Sequence, residues 1–227
     1  MIKDISISKR VLSANDKVAN MLRDLYKEHG KYVINLMSSP GSGKTTLLES
    51  LSQTDMKFCV IEGDLETNRD ADRLLDKGVL AKQITTGEAC HLEAKMIQNI
   101  FPLLTSDSRF TQSDFIFIEN VGNLVCPASY DLGAHVNVVL LSVPEGDDKV
   151  LKYPSMFLCA DVVLITKADM TSFFNFDVDR IRNDLRSLRG NIELMMVSSK
   201  DVSSIESLKQ RFQQFANDNY VSSHIYR

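Results

Sequence analysis

The 227-residue sequence predicts an α/β fold in three layers, a mainly parallel sheet with helices on both faces, on two observations. Short apolar runs rich in β-branched residues recur at 32–37, 58–61, 115–118, 136–143, 162–165 and 192–197. Amphipathic stretches at 44–51, 70–75, 92–101, 178–188 and 205–215 alternate with them. A strand covered on both faces reads as a continuous apolar run, and a parallel neighbour requires a crossover helix. Ahead of the first run, Val11, Val18, Met21, Leu22 and Leu25 stand at helical spacing, and His29-Gly30 supplies a stop. A helical extension over 1–30 packed on a core domain over 31–227 is therefore expected.

The formal net charge of −4 and the lack of a basic run argue against a nucleic-acid partner. No apolar stretch is long enough to span a bilayer, and the opening Met1-Ile2-Lys3-Asp4 lacks the apolar core of a signal peptide. The expected setting is cytoplasmic. There Cys59, Cys90, Cys126 and Cys159 are thiols rather than a disulfide framework, and a functional one is metal-binding or catalytic.

In open parallel sheets, ligands sit beyond the carboxyl ends of the strands. The first run is followed by Ser38-Ser39-Pro40-Gly41-Ser42-Gly43-Lys44-Thr45-Thr46 and then a helical pattern. This strand, glycine-rich loop and helix form a P-loop. Gly41, Ser42 and Gly43 turn backbone N–H groups toward phosphate oxygens, and the helix points its positive end at them. Lys44 reaches the β- and γ-phosphates, Thr45 ligates Mg²⁺, and Thr46 offers a further hydroxyl. Ser38 stands where such loops usually open with glycine, so the opening must tolerate a side chain. Asp64 and Glu119 follow two of the apolar runs and are the candidate acids on the Mg²⁺ side. Gly122, three residues after Glu119, is placed to give its N–H to a γ-phosphate, which would make 119–122 a switch segment.

The run 162–165 ends in Thr166-Lys167-Ala168-Asp169. This resembles the Asn-Lys-x-Asp guanine-recognition motif of GTPases, with Thr166 in place of the usual Asn. Ser198-Ser199-Lys200 after the last run resembles the second guanine-contacting loop. Together they favour GTP over ATP, with Lys167, Asp169, Ser199 and Lys200 as base contacts. Cys90 and His91 are adjacent, and Cys126 lies shortly after the proposed switch segment. Thiolate and imidazole suit borderline ions such as Ni²⁺ and Zn²⁺. Three ligands leave a tetrahedral site incomplete, and a symmetric dimer supplies the remainder. Cys59 and Cys159 read as core, and His29, His135 and His224 have no pairing that assigns a role.

The segments LMSSPGSGKTT, EGDLETNRDADR, TGEACHL, ENVGNLVCP and SVPEGDDKVLKY together resemble the nickel-incorporation GTPases of hydrogenase maturation, the HypB family. The Cys-Pro-His run of the related urease nickel GTPases is not present. The resemblance implies a P-loop GTPase domain binding GTP or GDP with Mg²⁺, and nickel delivery to a [NiFe]-hydrogenase precursor. Cys90, His91 and Cys126 match its metal ligands at a GTP-dependent homodimer interface. Lys44, Thr45, Asp64 and Glu119 match its phosphate and Mg²⁺ residues, and Lys167 and Asp169 its guanine contacts. Asp70 and Lys152 resemble positions that meet across the dimer. The implied partners are a small nickel- and zinc-binding protein, HypA, and the hydrogenase large subunit. No Cys-rich or His-rich nickel stretch precedes residue 34, so storage of many ions is not expected. Two readings stand beside this one: a P-loop kinase or ATPase acting on a small molecule, and a zinc-stabilised interaction module.

Overall fold

The computed structural model describes residues 2–66 and 69–225, and the side chains of 11–66 and 69–218. Thr67 and Asn68, within one of the resembling segments, and the side chain of His224 lie outside the described residues. The chain runs α1 (Ile2–Glu28), β1 (Tyr32–Ser38), α2 (Lys44–Leu51), β2 (Phe58–Asp64), α3 (Arg69–Asp76), β3 (Leu80–Thr85), α4 (Ala94–Thr105) and α5 (Ser108–Thr111). It continues through β4 (Phe115–Glu119), β5 (Val136–Ser142), α6 (Lys149–Lys152), α7 (Pro154–Leu158), β6 (Val162–Thr166), α8 (Val178–Leu188), β7 (Glu193–Met196) and α9 (Val202–Ile225).

The seven strands form one sheet in the order β3-β2-β4-β1-β5-β6-β7, every pairing parallel. The expected α/β class is therefore the observed one. β1 lies at the centre because both its faces are apolar: Ile34 and Leu36 point into one core, Val33 into another. The first core packs α2 and α9 onto the sheet through Leu47, Leu48, Leu51, Leu208 and Phe212. The opposite face carries α1 and α4, with Leu22, Tyr26, Ile97 and Phe101 buried together. Over β5 and β6, α7 and α8 cover the sheet with Met156, Phe157, Ile181 and Leu185. Tyr26 closes α1 onto the body through a hydrogen bond from its hydroxyl to the Leu132 carbonyl at 3.1 Å.

Several elements differ from the sequence expectation, among them the short helices α5, α6 and α7, which it does not include, and α9, which runs Val202–Ile225 rather than 205–215. β3 is an additional edge strand; Lys82 and Gln83 interrupt its apolar pattern because it is only partly covered. α1 begins at Ile2 rather than near residue 11. α4 begins at Ala94 rather than 92, because Leu92 is spent filling space beneath β2: a Cβ on Gly63 would lie 2.7 Å from Leu92 Cγ. The parallel register sets Glu62 beside Glu119 and Leu36 beside Glu119, so both glutamates and the P-loop leave the sheet at one end.

Candidate nucleotide and metal site

At that end lies a cleft of about 460 Å³ lined by the P-loop, the ends of β2 and β4, and Asp70, Arg73 and Lys167. Gly41 and Gly43 hold φ of 73° and 94°, left-handed values that a side chain would strain. Ser38 resolves its departure from glycine. Its hydroxyl is wholly buried, accepts from Lys44 Nζ at 3.0 Å and donates to the Ser39 carbonyl at 2.7 Å. The Lys44 ammonium is thereby parked within the loop that it serves.

Thr45 Oγ1 donates to Glu119 Oε1 at 2.8 Å. Among the described residues, Glu119 Oε2 and Glu62 Oε2 are buried without a hydrogen-bond partner. Burial pushes the Glu119 carboxyl up to about 7, with Lys44 and the Thr45 hydrogen bond pulling the other way. Glu62 is pushed up to about 8 by burial first and by the neighbouring Glu119 second. Two orphaned carboxylate oxygens and a threonine hydroxyl form an all-oxygen donor set, which fits a hard ion such as Mg²⁺. Glu62 escaped the sequence reading, which took Asp64 instead. Side chains two apart on a strand share a face, so the choice of Asp64 already pointed at Glu62. Asp64 itself lines the cleft.

The Thr166–Asp169 and Ser198–Lys200 segments come together beside the P-loop. Thr166 Oγ1 donates to the Ser42 carbonyl at 2.7 Å and Lys167 Nζ to the Gly41 carbonyl at 2.8 Å, so the end of β6 braces the P-loop. Asp169 accepts from Ser198 Oγ at 2.7 Å and Lys200 Nζ at 3.0 Å. The Ser198 hydrogen bond, and then Lys200, hold the Asp169 carboxyl below the usual carboxylate range. Ser199 lines a small recess of about 80 Å³ with Thr166, Lys167, Thr46 and the loop glycine Gly43. Glu145 also went unrecognised: its carboxylate accepts from the hydroxyls of Ser39, Ser42 and Ser142, the last two at 2.8 and 2.6 Å. The only signal for it was its place in the segment SVPEGDDKVLKY.

The Cys/His triad assembles beside the cleft. Cys90 Sγ lies 2.9 Å from Cys126 Sγ and 3.9 Å from His91 Nδ1, and one ligand atom from each residue falls within 4.8 Å of the others. All three residues are half-buried. The Cys90 hydrogen bond, followed by burial, pushes the Cys126 thiol up. The His91 ring stacks on Tyr130 with centroids 3.9 Å apart, and its Nε2 faces Glu93 Oε1 at 3.6 Å. Of the remaining cysteines, Cys59 is fully buried and Cys159 packs at the edge of a core, as expected for both. Asp70 pairs with Arg73 at 2.8 Å, and Lys152 pairs with Asp148. Among the described residues, no helix is long and apolar enough to cross a membrane.

Comparisons with known proteins place the chain in a family. A family described as CobW/HypB/UreG, nucleotide-binding domain, matches residues 32–196. The hydrogenase/urease maturation factor HypB of Helicobacter pylori (strain ATCC 700392 / 26695) is 57% identical over 223 residues, 98% of this chain and 92% of that one. The hydrogenase maturation factor HypB of Escherichia coli (strain K12) is 45% identical over 83% of this chain and 65% of its own length. The crystal structure of Helicobacter pylori HypB in complex with nickel superposes with a TM-score of 0.90 at 58% identity, covering 91% of this chain and 97% of that one. Archaeoglobus fulgidus HypB superposes with a TM-score of 0.80 at 32% identity, covering 90% of this chain and 99% of the other. The chain belongs to the HypB hydrogenase maturation factors, within the CobW/HypB/UreG nucleotide-binding family.

Proposed function

We propose that the protein hydrolyses GTP to GDP and phosphate, and couples that cycle to delivery of nickel to a [NiFe]-hydrogenase precursor. One observation carries the reading. The segment that leaves β4 supplies Glu119 to the nucleotide cleft and, seven residues on, Cys126 to the Cys90–His91 pair. A change at one site therefore acts on the backbone of the other. The nickel complex of the Helicobacter pylori relative supports nickel as the cargo, with Zn²⁺ as the competing ion.

The residues divide the work as follows. The P-loop N–H groups and Lys44 hold the β- and γ-phosphates. Thr45, Glu119, Glu62 and Asp64 provide the oxygens that hold Mg²⁺. A bound Mg²⁺ supplies charge neutralisation at the phosphates during transfer. Gly122 donates its N–H to the γ-phosphate and so draws the segment 119–122 toward the nucleotide. Lys167 covers the guanine face, Asp169 accepts from its N1 and N2 hydrogens, and Ser199 and Lys200 close the base pocket. Attack by water relies on positioning and preorganised charge. Cys90, His91 and Cys126 bind nickel, and a second copy completes the site in the GTP state, with Asp70 and Lys152 meeting across the interface. Residues 1–30 act as a helical extension of the P-loop domain. The nickel partner HypA and the hydrogenase large subunit are the partners that this function requires, in the cytoplasm.

The test is turnover with GTP and with ATP for the parent protein, Lys44→Ala and Asp169→Asn. GTP turnover lost in Lys44→Ala, and a GTP preference weakened in Asp169→Asn, are expected. Turnover retained by Lys44→Ala, or a parent that prefers ATP, sinks the assignment.

A further inference from the structure

Asn120 is buried, 1% exposed, on the segment that joins the two sites. It directly follows Glu119 and precedes Val121-Gly122. Its Oδ1 accepts from the Val121 N–H at 3.0 Å and, across a gap of 28 residues in sequence, from the Leu92 N–H at 3.2 Å. Its backbone N–H donates to the Leu36 carbonyl at 2.9 Å, which fixes it to the strand that opens into the P-loop. Its Nδ2 faces Asn35 Oδ1 at 3.4 Å, and Asn35 donates to Asn137 Oδ1 at 3.0 Å. A buried amide costs free energy unless bonded on both sides, and this one is bonded on both.

What Asn120 grips on its far side is the amide next to His91. Leu92 is fully buried and seats against Gly63, the residue between Glu62 and Asp64. The loop bearing Cys90 and His91 is therefore fastened at two points to the strand ends that line the nucleotide cleft. Cys126 is fastened to the same segment by a second asparagine. Asn123 Oδ1 accepts from the Val125 N–H at 2.7 Å and the Cys126 N–H at 3.4 Å, while its own N–H donates to the Ser38 carbonyl at 2.8 Å.

We propose that Asn120 is the positioning residue that transmits nucleotide state to metal affinity. When 119–122 follows the γ-phosphate, the Leu92 amide follows Asn120 Oδ1, and the Cys90–His91 arm moves relative to the Cys126 arm held by Asn123. The inference rests on the coupled reading proposed above and names its route within one chain. Asn120 borders the nucleotide cleft, but its side-chain hydrogen bonds run to Leu92, Val121 and Asn35, so its signature is the dependence of one site on the other rather than binding at either.

The test measures the Ni²⁺ dissociation constant by competition with a chromophoric chelator, in Mg²⁺–GDP and in a Mg²⁺–GTP analogue. Parent, Asn120→Ala and Asn120→Asp are compared. The ratio of the two constants is expected to be about tenfold in the parent, within the usual range for coupled sites. Asn120→Ala removes the acceptor and should bring the ratio within about twofold of unity, whereas Asn120→Asp retains an acceptor oxygen for Leu92 and should keep most of it. A merely structural role moves both constants together and leaves the parent ratio in Asn120→Ala, which overturns the inference alone. A parent ratio of one overturns both the inference and the coupled reading. Should Asn120→Ala not fold, amide exchange in the parent decides. The Leu92 amide should change its exchange rate at least about tenfold between the nucleotide states, and an unchanged rate overturns the route.

Discussion

Gly122→Ala tests how the switch segment is seated. A Cβ at this position would lie 2.9 Å from Pro40 N and Cα and 3.0 Å from Pro40 Cγ, backbone atoms of the P-loop among them. Ordinary contacts at a Cβ begin near 3.4 Å, so one of the two chains must retreat by about half an ångström. Overpacking of this kind costs about 1–3 kcal/mol. If the cost falls on the state in which 119–122 closes on the γ-phosphate, GTP-analogue affinity drops by about 5- to 150-fold. GDP has no γ-phosphate to draw the segment in, and its affinity should change by less than about threefold. Any share borne by the free protein lowers its melting temperature by about 2–4 °C per kcal/mol at this chain length. Titration with fluorescent GDP and a fluorescent GTP analogue, beside a thermal scan, reads both. Gly41→Ala is the comparison, because a Cβ there meets no atom within 4 Å and only its φ of 73° is strained, at about 1–2 kcal/mol. If Gly122→Ala leaves the melting temperature and both affinities unchanged, the close approach to Pro40 does not govern the switch.

Four further outcomes follow from the geometry. Glu119→Gln keeps an acceptor for Thr45 but removes a charge from the oxygen cluster, and should raise the Mg²⁺ needed for half-maximal turnover by at least about tenfold; an unchanged Mg²⁺ requirement assigns the ion elsewhere. Stability should depend on pH in an unusual direction in the metal- and nucleotide-free protein. Glu62 and Glu119 are raised from 4.5 to about 8 and about 7, so the folded chain keeps protons that the unfolded chain releases, and stability falls as pH rises through that window. A drop of roughly 1–3 kcal/mol between pH 5.5 and 8, flattened in Glu119→Gln, is the expected result of paired urea titrations. Glu145→Gln weakens the carboxylate that gathers Ser39, Ser42 and Ser142, and should raise the KM for GTP by about 5- to 50-fold with far less effect on the stability of the nucleotide-free protein. Tyr130→Ala removes the ring stacked on His91 and should loosen Ni²⁺ while both thiols remain, seen as a faster Ni²⁺ off-rate to chelator.

Much of the architecture follows from patterns that a reader of the sequence can see. β1, β4, β5 and β6 are covered on both faces, and their near-continuous apolar runs, interrupted only by Asn35 in β1 and Asn137 in β5, announce it. β3 does not announce itself, because an edge strand with one partly open face carries Lys82 and Gln83 where a central strand carries valine or isoleucine. The site splits in the same way. Lys44, Thr45, Cys90 and Cys126 belong to local motifs whose chemistry is written in adjacent residues. Glu62 shares a strand face with Asp64, and the parallel register sets it against Glu119, 57 positions away. Asn120 and Glu145 act through bonds to residues 28 and 103 positions distant, and no periodicity encodes such pairings. Thr166 shows the converse. It stands where the guanine-recognition motif carries asparagine, and its hydroxyl is bonded to the P-loop backbone.

Both sites hang on one short segment, and that is the physical reason for expecting a switch. Glu119, Gly122, Asn123 and Cys126 span eight consecutive residues that leave β4 and contact the P-loop at Thr45, Pro40 and Ser38 in turn. A rigid metal site would not need this. The orphaned oxygens of Glu62 and Glu119 add a preference for the ligand-bound state, since a buried acid without a partner gains most from a cation.

The decisive measurement is Ni²⁺ stoichiometry and affinity in the GDP and GTP-analogue states, with molecular mass followed by sedimentation in the same samples and Cys90→Ala and Cys126→Ala run alongside. Coupled nickel delivery requires a dimer in the GTP-analogue state, a Ni²⁺ affinity that differs between the two states, and loss of that affinity in both variants. A monomer in both states that binds Ni²⁺ equally well, with or without either thiol, would leave a P-loop nucleotide hydrolase with no role in handling the metal.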